Sequence, residues 1–333
     1  MNYKTALMAM ILAYFYLLSL ESQGSPARKS LVIENGTHAI HTELYSVDAN
    51  NSSSELVLYM PGQGDAISMY EYLAEIFIKK YQRDVFLYDV RGHGKSAGPR
   101  CHIDDYSEHL SDLNLVLRHV GKKYEKVHIV AHSTGALIAS LYLLEGLDTH
   151  SIQSLTAVSP FFGLAGPELY KKFAGLASAF GARSLGLGQT QVLPFNPAIY
   201  VSTIENNLLT HDPEFFERFN GHPEKCGTPT FAWVKASMAA HERIKQHSRL
   251  VNVPMLMLTA GNDGVVSTED ARKQCEAWNA VSQWTCTYHE YEGMRHGLVY
   301  EIKEVREDIF HKIGKISLKI PSFLKEDLEL VKP

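Results

Sequence analysis

The stretch Lys126–Leu137, K-V-H-I-V-A-H-S-T-G-A-L, contains the feature that decides the fold. Its first half is a short apolar run typical of a buried strand, and its second half, Ala131–Gly135, places Ser133 in a turn of small residues. The pattern is G-x-S-x-G with alanine for the first glycine, and it predicts a strained strand-to-helix turn with the serine at its tip. Such a turn exposes the hydroxyl at a cleft toward which the next helix N-terminus points. A surface Ser-Thr-Gly turn is the alternative interpretation.

Two later segments supply an acid and a histidine, each after a predicted strand. Val253–Thr259 has a buried-strand pattern, and Asp263 follows it in a glycine-flanked turn. Cys286–Tyr291 is the next strand, and His296 lies in the loop beyond it. The chain order serine, acid, histidine suits a triad in which the histidine takes the serine proton and the aspartate orients the histidine. We therefore predict that Ser133, Asp263 and His296 form a catalytic triad.

A second glycine-containing turn follows an earlier predicted strand. Leu56–Met60 is a short apolar run, and the turn Pro61–Asp65 directly after it contains two glycines. Because glycine lets backbone amides turn inward, we predict that the amides of Gln63 and Thr134, the residue after the serine, form an oxyanion hole. Taken alone, Pro61–Asp65 is equally well an ordinary Pro-Gly turn.

Strand and helix patterns alternate along the chain, which predicts an α/β fold whose mainly parallel sheet is covered by helices on both faces. Strands are predicted to end near Met60, Tyr88, Ala131, Ser159, Thr259 and Tyr291. Helices are predicted over Tyr70–Tyr81, Ser107–Tyr124, Thr134–Glu145, Thr268–Val281 and Tyr300–His311.

The predicted strand Ile152–Val158 and the one that begins at Val253 are separated by roughly ninety residues. This gap is too long for a simple connection and too short for a second independent core, so we interpret it as a helical cap inserted over the cleft. The predicted organisation is a signal peptide over residues 1–24, a core in two parts over 25–160 and 251–320, a cap over 161–250 and a C-terminal tail over 321–333.

Three of these segments together resemble a known family. Pro61–Asp65, the loop Asp89–Gly98 with its R-G-H-G core, and Ala131–Gly135 are similar to the monoacylglycerol-lipase-like branch of the α/β-hydrolases. The sequence departs from that branch at Pro61, where relatives usually carry histidine, and at Ala131, which replaces glycine. Because the predicted donors are backbone amides, the first departure affects loop geometry more than chemistry.

The cap region makes the family resemblance more specific. Leu208–Glu214, His222–Glu224 and Gly227–Val234 resemble the cap of the bacterial membrane-associated lysophospholipases, and the whole resemblance covers about residues 30–315. It implies an α/β-hydrolase fold and a serine carboxylester hydrolase that cleaves lysophospholipids through an acyl enzyme, without a metal or organic cofactor. The alternatives are a monoacylglycerol lipase or general carboxylesterase, then a peptidase, and finally a non-catalytic binding protein with this fold.

Composition gives further indications about the substrate. The cap region holds nine of the fourteen phenylalanines, which suits either a tunnel for an acyl chain or the core of the cap itself. We predict substrate contacts from Phe161, Phe162, Phe231 and Trp233. The cap also carries a polar set suited to a lipid head group or simply to solvent, namely His211, Glu214, Arg218, His222, Glu224 and Lys225.

The net charge of −5 gives no indication of nucleic-acid binding or of electrostatic attraction to anionic lipid. No C-x-x-C or H-E-x-x-H spacing suggests a metal site. The oligomeric state is left open.

The N-terminus has the pattern of an export signal. Lys4 precedes the fifteen-residue apolar run Ala6–Leu20, and Ser22–Gly24 offers small residues for cleavage. The run is shorter than the ~20 residues of a spanning helix, so a cleaved signal peptide is predicted, with a retained anchor as the alternative. The predicted location is periplasmic or secreted, with membrane association left open.

Export permits disulfides, and the chain has four cysteines, which allow three pairings. Cys275 lies on the helix after the acid turn and Cys286 opens the next strand, so these two are predicted to pair. Cys101 follows the R-G-H-G loop on the active-site side and Cys226 lies in the cap above it, which predicts the second pair. Four buried free thiols are the alternative.

Overall fold

The computed structural model describes residues 26–36, 38–47, 53–167, 181, 185–192, 203–246, 253–281 and 286–318. Its strands in these ranges are β1 (Ala27–Asn35), β2 (His38–Ser46), β3 (Glu55–Met60), β4 (Asp84–Tyr88), β5 (Lys126–His132), β6 (Ile152–Val158), β7 (Met255–Ala260) and β8 (Cys286–Tyr291). They form one sheet in the order β1-β2-β4-β3-β5-β6-β7-β8.

Most of the sheet is parallel. β1 pairs antiparallel with β2, and β2 pairs antiparallel with β4. The remaining pairings, from β4 through to β8, are all parallel. Parallel strands end at a common edge of the sheet, so the turns after β3, β5, β7 and β8 meet there. The observed sheet confirms the predicted fold class.

Helices cover both faces of the sheet. They are α1 (Glu71–Tyr81), α2 (Tyr106–Val120), α3 (Thr134–Leu144), α4 (Pro213–Phe219), α5 (Phe231–Gln246), α6 (Thr268–Val281) and α7 (Lys303–Lys312). Successive residues of β3 contribute to two different apolar clusters, as a pleated strand requires. Leu58 packs in the cluster that includes Leu137 of α3, whereas Tyr59 packs in the cluster that includes Phe77 of α1.

The sequence patterns missed the antiparallel pair β1–β2. Its residues lie at the edge of the sheet, and β1 presents mostly exposed side chains, including Val32 at 57%. An edge hairpin needs only a partial apolar face, so its periodicity is weak. Two helix boundaries also differ: α2 ends at Val120, with Gly121 as its C-cap, and α7 begins after the short 3-10 turn Leu298–Tyr300.

The cap region is described in part. Helix α5 packs against α3 and α2 of the core. Residues 168–180, 182–184, 193–202 and 247–250 lie outside the described residues, as do the signal peptide over 1–24 and the tail over 321–333. The domain boundaries therefore stay predictions. In the part of the chain that is described, no helix is both long enough and apolar enough to cross a membrane.

Candidate active site

Ser133 stands in a strained turn between β5 and α3, with φ of +52°. Its amide donates to the carbonyl of Val158 at 2.9 Å, which ties the turn to the neighbouring strand β6. Gly135 is required by space, because a Cβ there would lie 2.6 Å from the carbonyl oxygen of Met60. Ala131, in contrast, is fully buried and its methyl group fits into the core beside the turn. The departure from the glycine pattern is thus accommodated by packing.

The structure brings the three predicted triad residues together. His296 Nδ1 lies 2.8 Å from Asp263 Oδ2, and His296 Nε2 lies 3.0 Å from Ser133 Oγ. Because a carboxylate can only accept, Nδ1 carries the proton and Nε2 is left to accept the serine proton. This is the geometry of a histidine general base acting on a serine nucleophile.

Asp263 is oriented by two backbone amides that sequence reasoning did not single out. Its Oδ1 accepts from the amides of Val265 at 2.8 Å and Val266 at 2.9 Å. The other oxygen, Oδ2, is thereby free to face His296. An aspartate side chain commonly accepts from the amides two and three residues later. The positions of Val265 and Val266 after Asp263 could therefore have predicted these two hydrogen bonds from the sequence.

The histidine loop is held by a segment from the cap region. The amide of His296 donates to the carbonyl of Leu208 at 3.1 Å, and the amide of Gly297 donates to that of Leu209 at 2.7 Å. A Cβ at Gly297 would come within 1.9 Å of the Tyr300 ring, so only glycine fits there. The position of His296 therefore depends on residues roughly ninety positions earlier in the chain.

His132 lies beside His296, and its ring is not an alternative base for the Ser133 proton. The ring centroids are 4.9 Å apart. His132 Nε2 lies 3.3 Å from the His296 carbonyl oxygen, which can only accept, so this nitrogen carries the proton. Burial holds the pKa of His132 well below its usual value, with the charge of His296 acting in the same direction. The adjacent ring is therefore neutral.

The predicted oxyanion donors face the same space as the serine. Gln63 and Thr134 both line the cavity, and among the described residues neither backbone amide has an acceptor. Thr134 is the first residue of α3, where the amides have no partner within the helix. The loop with Gly62 lies against the nucleophile, since a Cβ on Gly62 would come 3.1 Å from that of Ser133. The arrangement is compatible with the predicted pair of donors beside the serine, which stays a prediction.

The triad opens into a cavity of about 550 Å³. Much of its lining is apolar and comes from the cap region and from the turn after β7, including Phe161, Leu164, Val192, Trp233, Val234, Met238, Val265 and Val266. The cavity residues of α5 are Trp233, Val234, Ser237 and Met238, which share one face of that helix. Their spacing at i, i+1, i+4 and i+5 indicates one helix face and could have been recognised in the sequence. The prediction of substrate contacts considered aromatic residues only and so missed Val234, Ser237 and Met238.

Two of the four predicted substrate contacts line the cavity. Phe161 and Trp233 do so, with their rings stacked 5.7 Å apart. Phe162 points away and packs edge-on against Trp278 at 5.7 Å. Phe231 packs against the outside of the apolar core, and neither it nor Phe162 belongs to the described lining. The two residues lie in a tight turn, in which the Phe162 amide donates to the Pro160 carbonyl at 2.9 Å, and their side chains leave it in different directions.

The polar set of the cap is also divided. Lys225 is the one lysine or arginine among the described cavity residues. His211 binds Glu301 at 2.8 Å, Arg218 lies over the Tyr72 ring, and Glu224 accepts from Ser68. Glu214 is exposed at the start of α4, and His222 Nδ1 accepts from the amide of Glu224. Glu214 and Arg218 are exposed, as the solvent alternative expects, whereas Lys225 lines the cavity.

Both predicted cysteine pairs are bridged. The Cα atoms of Cys101 and Cys226 are 5.5 Å apart, as are those of Cys275 and Cys286. His93 lies close to the first bridge, and these three residues form the one metal-like cluster of the described chain. Sulfurs joined in a disulfide are not thiolates and so do not act as metal ligands.

Comparison with known proteins agrees with this architecture. The model of a family described as serine aminopeptidase, S33, matches residues 51–303. The chain is 26% identical to the monoglyceride lipase of Rattus norvegicus over 267 residues, which cover 78% of this chain and 80% of that protein. It is also 26% identical to lysophospholipase L2 of Escherichia coli over 286 residues, 78% of each chain.

Solved structures show the same fold. A soluble variant of monoglyceride lipase from Saccharomyces cerevisiae, in complex with a substrate analogue, superimposes with a TM-score of 0.71 at 15% identity, over 88% of this chain and 95% of that one. The Paleococcus ferrophilus monoacylglycerol lipase gives a TM-score of 0.66 at 20% identity, over 84% and 98%. The family match extends over well more than half of the chain and includes Ser133, Asp263 and His296. The chain therefore belongs to the serine aminopeptidase S33 family of α/β-hydrolases.

Proposed function

We propose that this protein is a serine carboxylester hydrolase that cleaves the acyl ester of lysophospholipids. One observation carries the proposal: the hydrogen-bonded chain Asp263–His296–Ser133 opens into a largely apolar cavity whose described lining contains one cationic side chain, Lys225. The apolar walls suit a single acyl chain, and the cation suits a phosphate group. The resemblance to monoglyceride lipases and lysophospholipases at 26% identity supports a lipid ester as substrate.

The proposed reaction is acyl transfer in two steps. His296 takes the proton from Ser133 Oγ as this oxygen attacks the ester carbonyl. The amides of Gln63 and Thr134 stabilise the oxyanion, an interaction worth roughly 3 to 4 kcal/mol for one donor. His296 then protonates the leaving alcohol. Water, deprotonated by the same histidine, hydrolyses the acyl enzyme and restores the serine.

Lys225 supports the choice of a phosphate-bearing head group. It lines the cavity together with Asp65, whose carboxyl accepts from the Tyr70 hydroxyl at 2.6 Å. Burial raises the pKa of Asp65, although the charge of Lys225 acts in the opposite direction. A substrate phosphate would offer the lysine an anionic partner at the cavity. A monoglyceride offers no such anion.

The experiment compares matched substrates on matched variants. We expect the wild-type protein to hydrolyse lysophosphatidylethanolamine with a higher kcat/KM than a monoglyceride of the same chain length. Lys225→Gln should lower kcat/KM for the lysophospholipid about tenfold, or about 1.4 kcal/mol, and leave monoglyceride hydrolysis within twofold. Arg218→Gln is the control, because Arg218 is a cap cation that lies over the Tyr72 ring.

The other candidates are outcomes of the same assay. A tenfold preference of the wild type for monoglyceride would replace the lysophospholipid proposal by a monoacylglycerol lipase. Equal turnover of short soluble esters would indicate a general carboxylesterase, and cleavage of a peptide amide would indicate a peptidase. The complete triad geometry disfavours a non-catalytic binding protein, which should give no turnover of any ester.

We also propose that the protein is exported, with residues 1–24 as a cleaved signal peptide and with peripheral contact to membranes. The two disulfides support an oxidising compartment, because such bridges persist mainly outside the cytosol. Mass spectrometry of the mature protein from fractionated cells tests the cleavage. Cosedimentation with phospholipid vesicles tests the membrane contact.

A further inference from the structure

The Cys101–Cys226 bridge lies between three segments that meet beside the serine. Cys101 belongs to the loop after β4, and Cys226 belongs to the segment between α4 and α5. The third segment is the turn after β3 that carries Gln63 and Gly64, both of which line the cavity. Both cysteines are buried. The bridge therefore lies behind the turn that carries the predicted oxyanion donor Gln63.

One end of the bridge holds the oxyanion turn directly. The amide of Cys226 donates to the carbonyl of Gly64 at 3.2 Å. The side-chain Nε2 of Gln63 lies 4.0 Å from Cys226 Sγ, a weak contact on the same side. Within the turn itself, the amide of Asp65 reaches the carbonyl of Gly62 only at 3.4 Å. Two glycines and one long hydrogen bond leave this turn dependent on its neighbours.

The other end of the bridge is attached to a rigid part of the core. The amide of Cys101 donates to the carbonyl of Gly92 at 3.2 Å, and its carbonyl accepts from the amide of Thr230 at 3.2 Å. Beside Gly92, the guanidinium of Arg91 forms two buried hydrogen bonds to Asp112 of α2, at 2.6 and 2.7 Å. Cys101 is thus fixed to the core, and the covalent bond restrains Cys226 relative to it.

We propose that the Cys101–Cys226 disulfide is a positioning element of the oxyanion hole. It keeps Cys226 against the Gly64 carbonyl and so directs the Gln63 amide at the substrate carbonyl. This inference rests on the proposed serine mechanism. Loss of the bridge leaves substrate binding in place and weakens stabilisation of the oxyanion, which is present only during the chemical step.

The second bridge of the chain provides a matched control. Cys275 and Cys286 join α6 to β8, and in the described chain neither forms a hydrogen bond to the turn of Gln63 and Gly64. The double variants Cys101→Ser/Cys226→Ser and Cys275→Ser/Cys286→Ser each lose one buried disulfide, and both should unfold at lower temperature. Only the first should alter catalysis in the folded protein.

Hydrolysis of a soluble p-nitrophenyl ester, measured well below the unfolding temperature of each variant, tests the proposal. We expect kcat of the Cys101/Cys226 variant to fall about 10- to 100-fold with KM within twofold, since removal of an entire donor costs about 100- to 1,000-fold. The control variant should keep kcat within twofold. Phosphonate labelling of Ser133, which also builds charge on an oxygen, should slow in parallel.

A kcat within twofold of wild type in the folded Cys101/Cys226 variant overturns the inference, as does an equal loss in the control variant. If the Cys101/Cys226 variant does not fold, the wild-type protein is partially reduced, alkylated and assayed instead. Mass spectrometry then identifies which bridge was opened. Unchanged turnover after opening of Cys101–Cys226 overturns the inference. A wild-type protein that hydrolyses no ester refutes the proposed function instead, so the two failures are distinguishable.

Discussion

The core side and the cap side of the active site are built by different means. On the core side, Ser133 is placed by backbone geometry: a strained φ, the close approach at Gly135, and the strand ends of the parallel part of the sheet. On the cap side, the irregular segment 203–212 is held mainly by side chains that bind its carbonyls. The guanidinium of Arg295 donates to Ile204, Glu205 and Thr210.

This difference predicts that the two sides respond differently to substitution. Backbone constraints tolerate little change and hold Ser133 to fractions of an ångström, which the proposed acyl transfer would require. Side-chain clamps are more easily altered, and the segment that they hold contributes Leu209 to the cavity, where we propose that the substrate binds. Substitutions on the core side should therefore affect kcat or abolish folding, whereas those on the cap side should produce smaller, graded effects.

The largest expected effect tests the core side at its centre. Ser133→Ala, Asp263→Asn and His296→Ala should each lower kcat by about 10⁴-fold or more, because the three residues act as one unit. The double variant Ser133→Ala/His296→Ala should be no worse than the more severe single variant. Steady-state kinetics with thermal unfolding checks this. Additive losses, or full activity of Ser133→Ala, would contradict the proposed mechanism.

Substitution of one glycine on each side allows a direct comparison of the core side with the cap side. At Gly135 a Cβ meets the carbonyl of Met60 at 2.6 Å, whereas at Gly221, in the cap region, nothing lies within 4 Å and only the φ of +74° is unfavourable. We expect Gly135→Ala to lower the free energy of unfolding by about 3 kcal/mol and to reduce kcat. Gly221→Ala should lower it by about 1 kcal/mol and leave kcat unchanged. Urea titration of both variants measures the contrast.

Arg295 tests the side-chain clamp. Arg295→Gln removes a charged donor from three carbonyls and should lower the free energy of unfolding by about 2 kcal/mol. Arg118→Gln is a suitable control, since Arg118 is exposed on α2 and surface changes typically stay within about 0.5 kcal/mol. Equal stabilities of the two variants, measured by urea unfolding, would show that the segment 203–212 is held by other contacts.

The last effect concerns pH and the core loop after β4. Burial lowers the pKa of His93 to about 4, whereas an unfolded histidine titrates near 6.5. The unfolded chain therefore binds the proton more tightly, and stability falls as the pH drops below about 6.5 toward 4. For this group the loss is about 2 kcal/mol at pH 5.

His93→Gln should remove that part of the pH dependence. The difference in the free energy of unfolding between pH 7 and pH 5 should be about 2 kcal/mol smaller in the variant than in the wild type. His109 and His132 also have pKa values lowered by burial, but they remain in both proteins. An identical difference in the two proteins would show that His93 is not the titrating group.

Short-range patterns predicted the candidate catalytic residues of this protein. The turn at Ser133, the acid at Asp263 and the histidine at His296 are recognisable because each follows a buried strand, and parallel strand ends must meet at one sheet edge. The two cysteine pairs followed from the same layout. Such inferences depend only on periodicity, turn chemistry and chain order, which are local properties of the sequence.

Only the tertiary structure decided which side chains face the cavity. Phe161 and Phe162 are neighbours with the same chemistry, yet one lines the cavity and the other packs against Trp278. Lys225 differs from Arg218 in the same way, and the edge pair β1–β2 had too little apolar periodicity to be found. Side-chain direction and edge pairing depend on contacts between residues far apart in the chain, and a local pattern does not contain them.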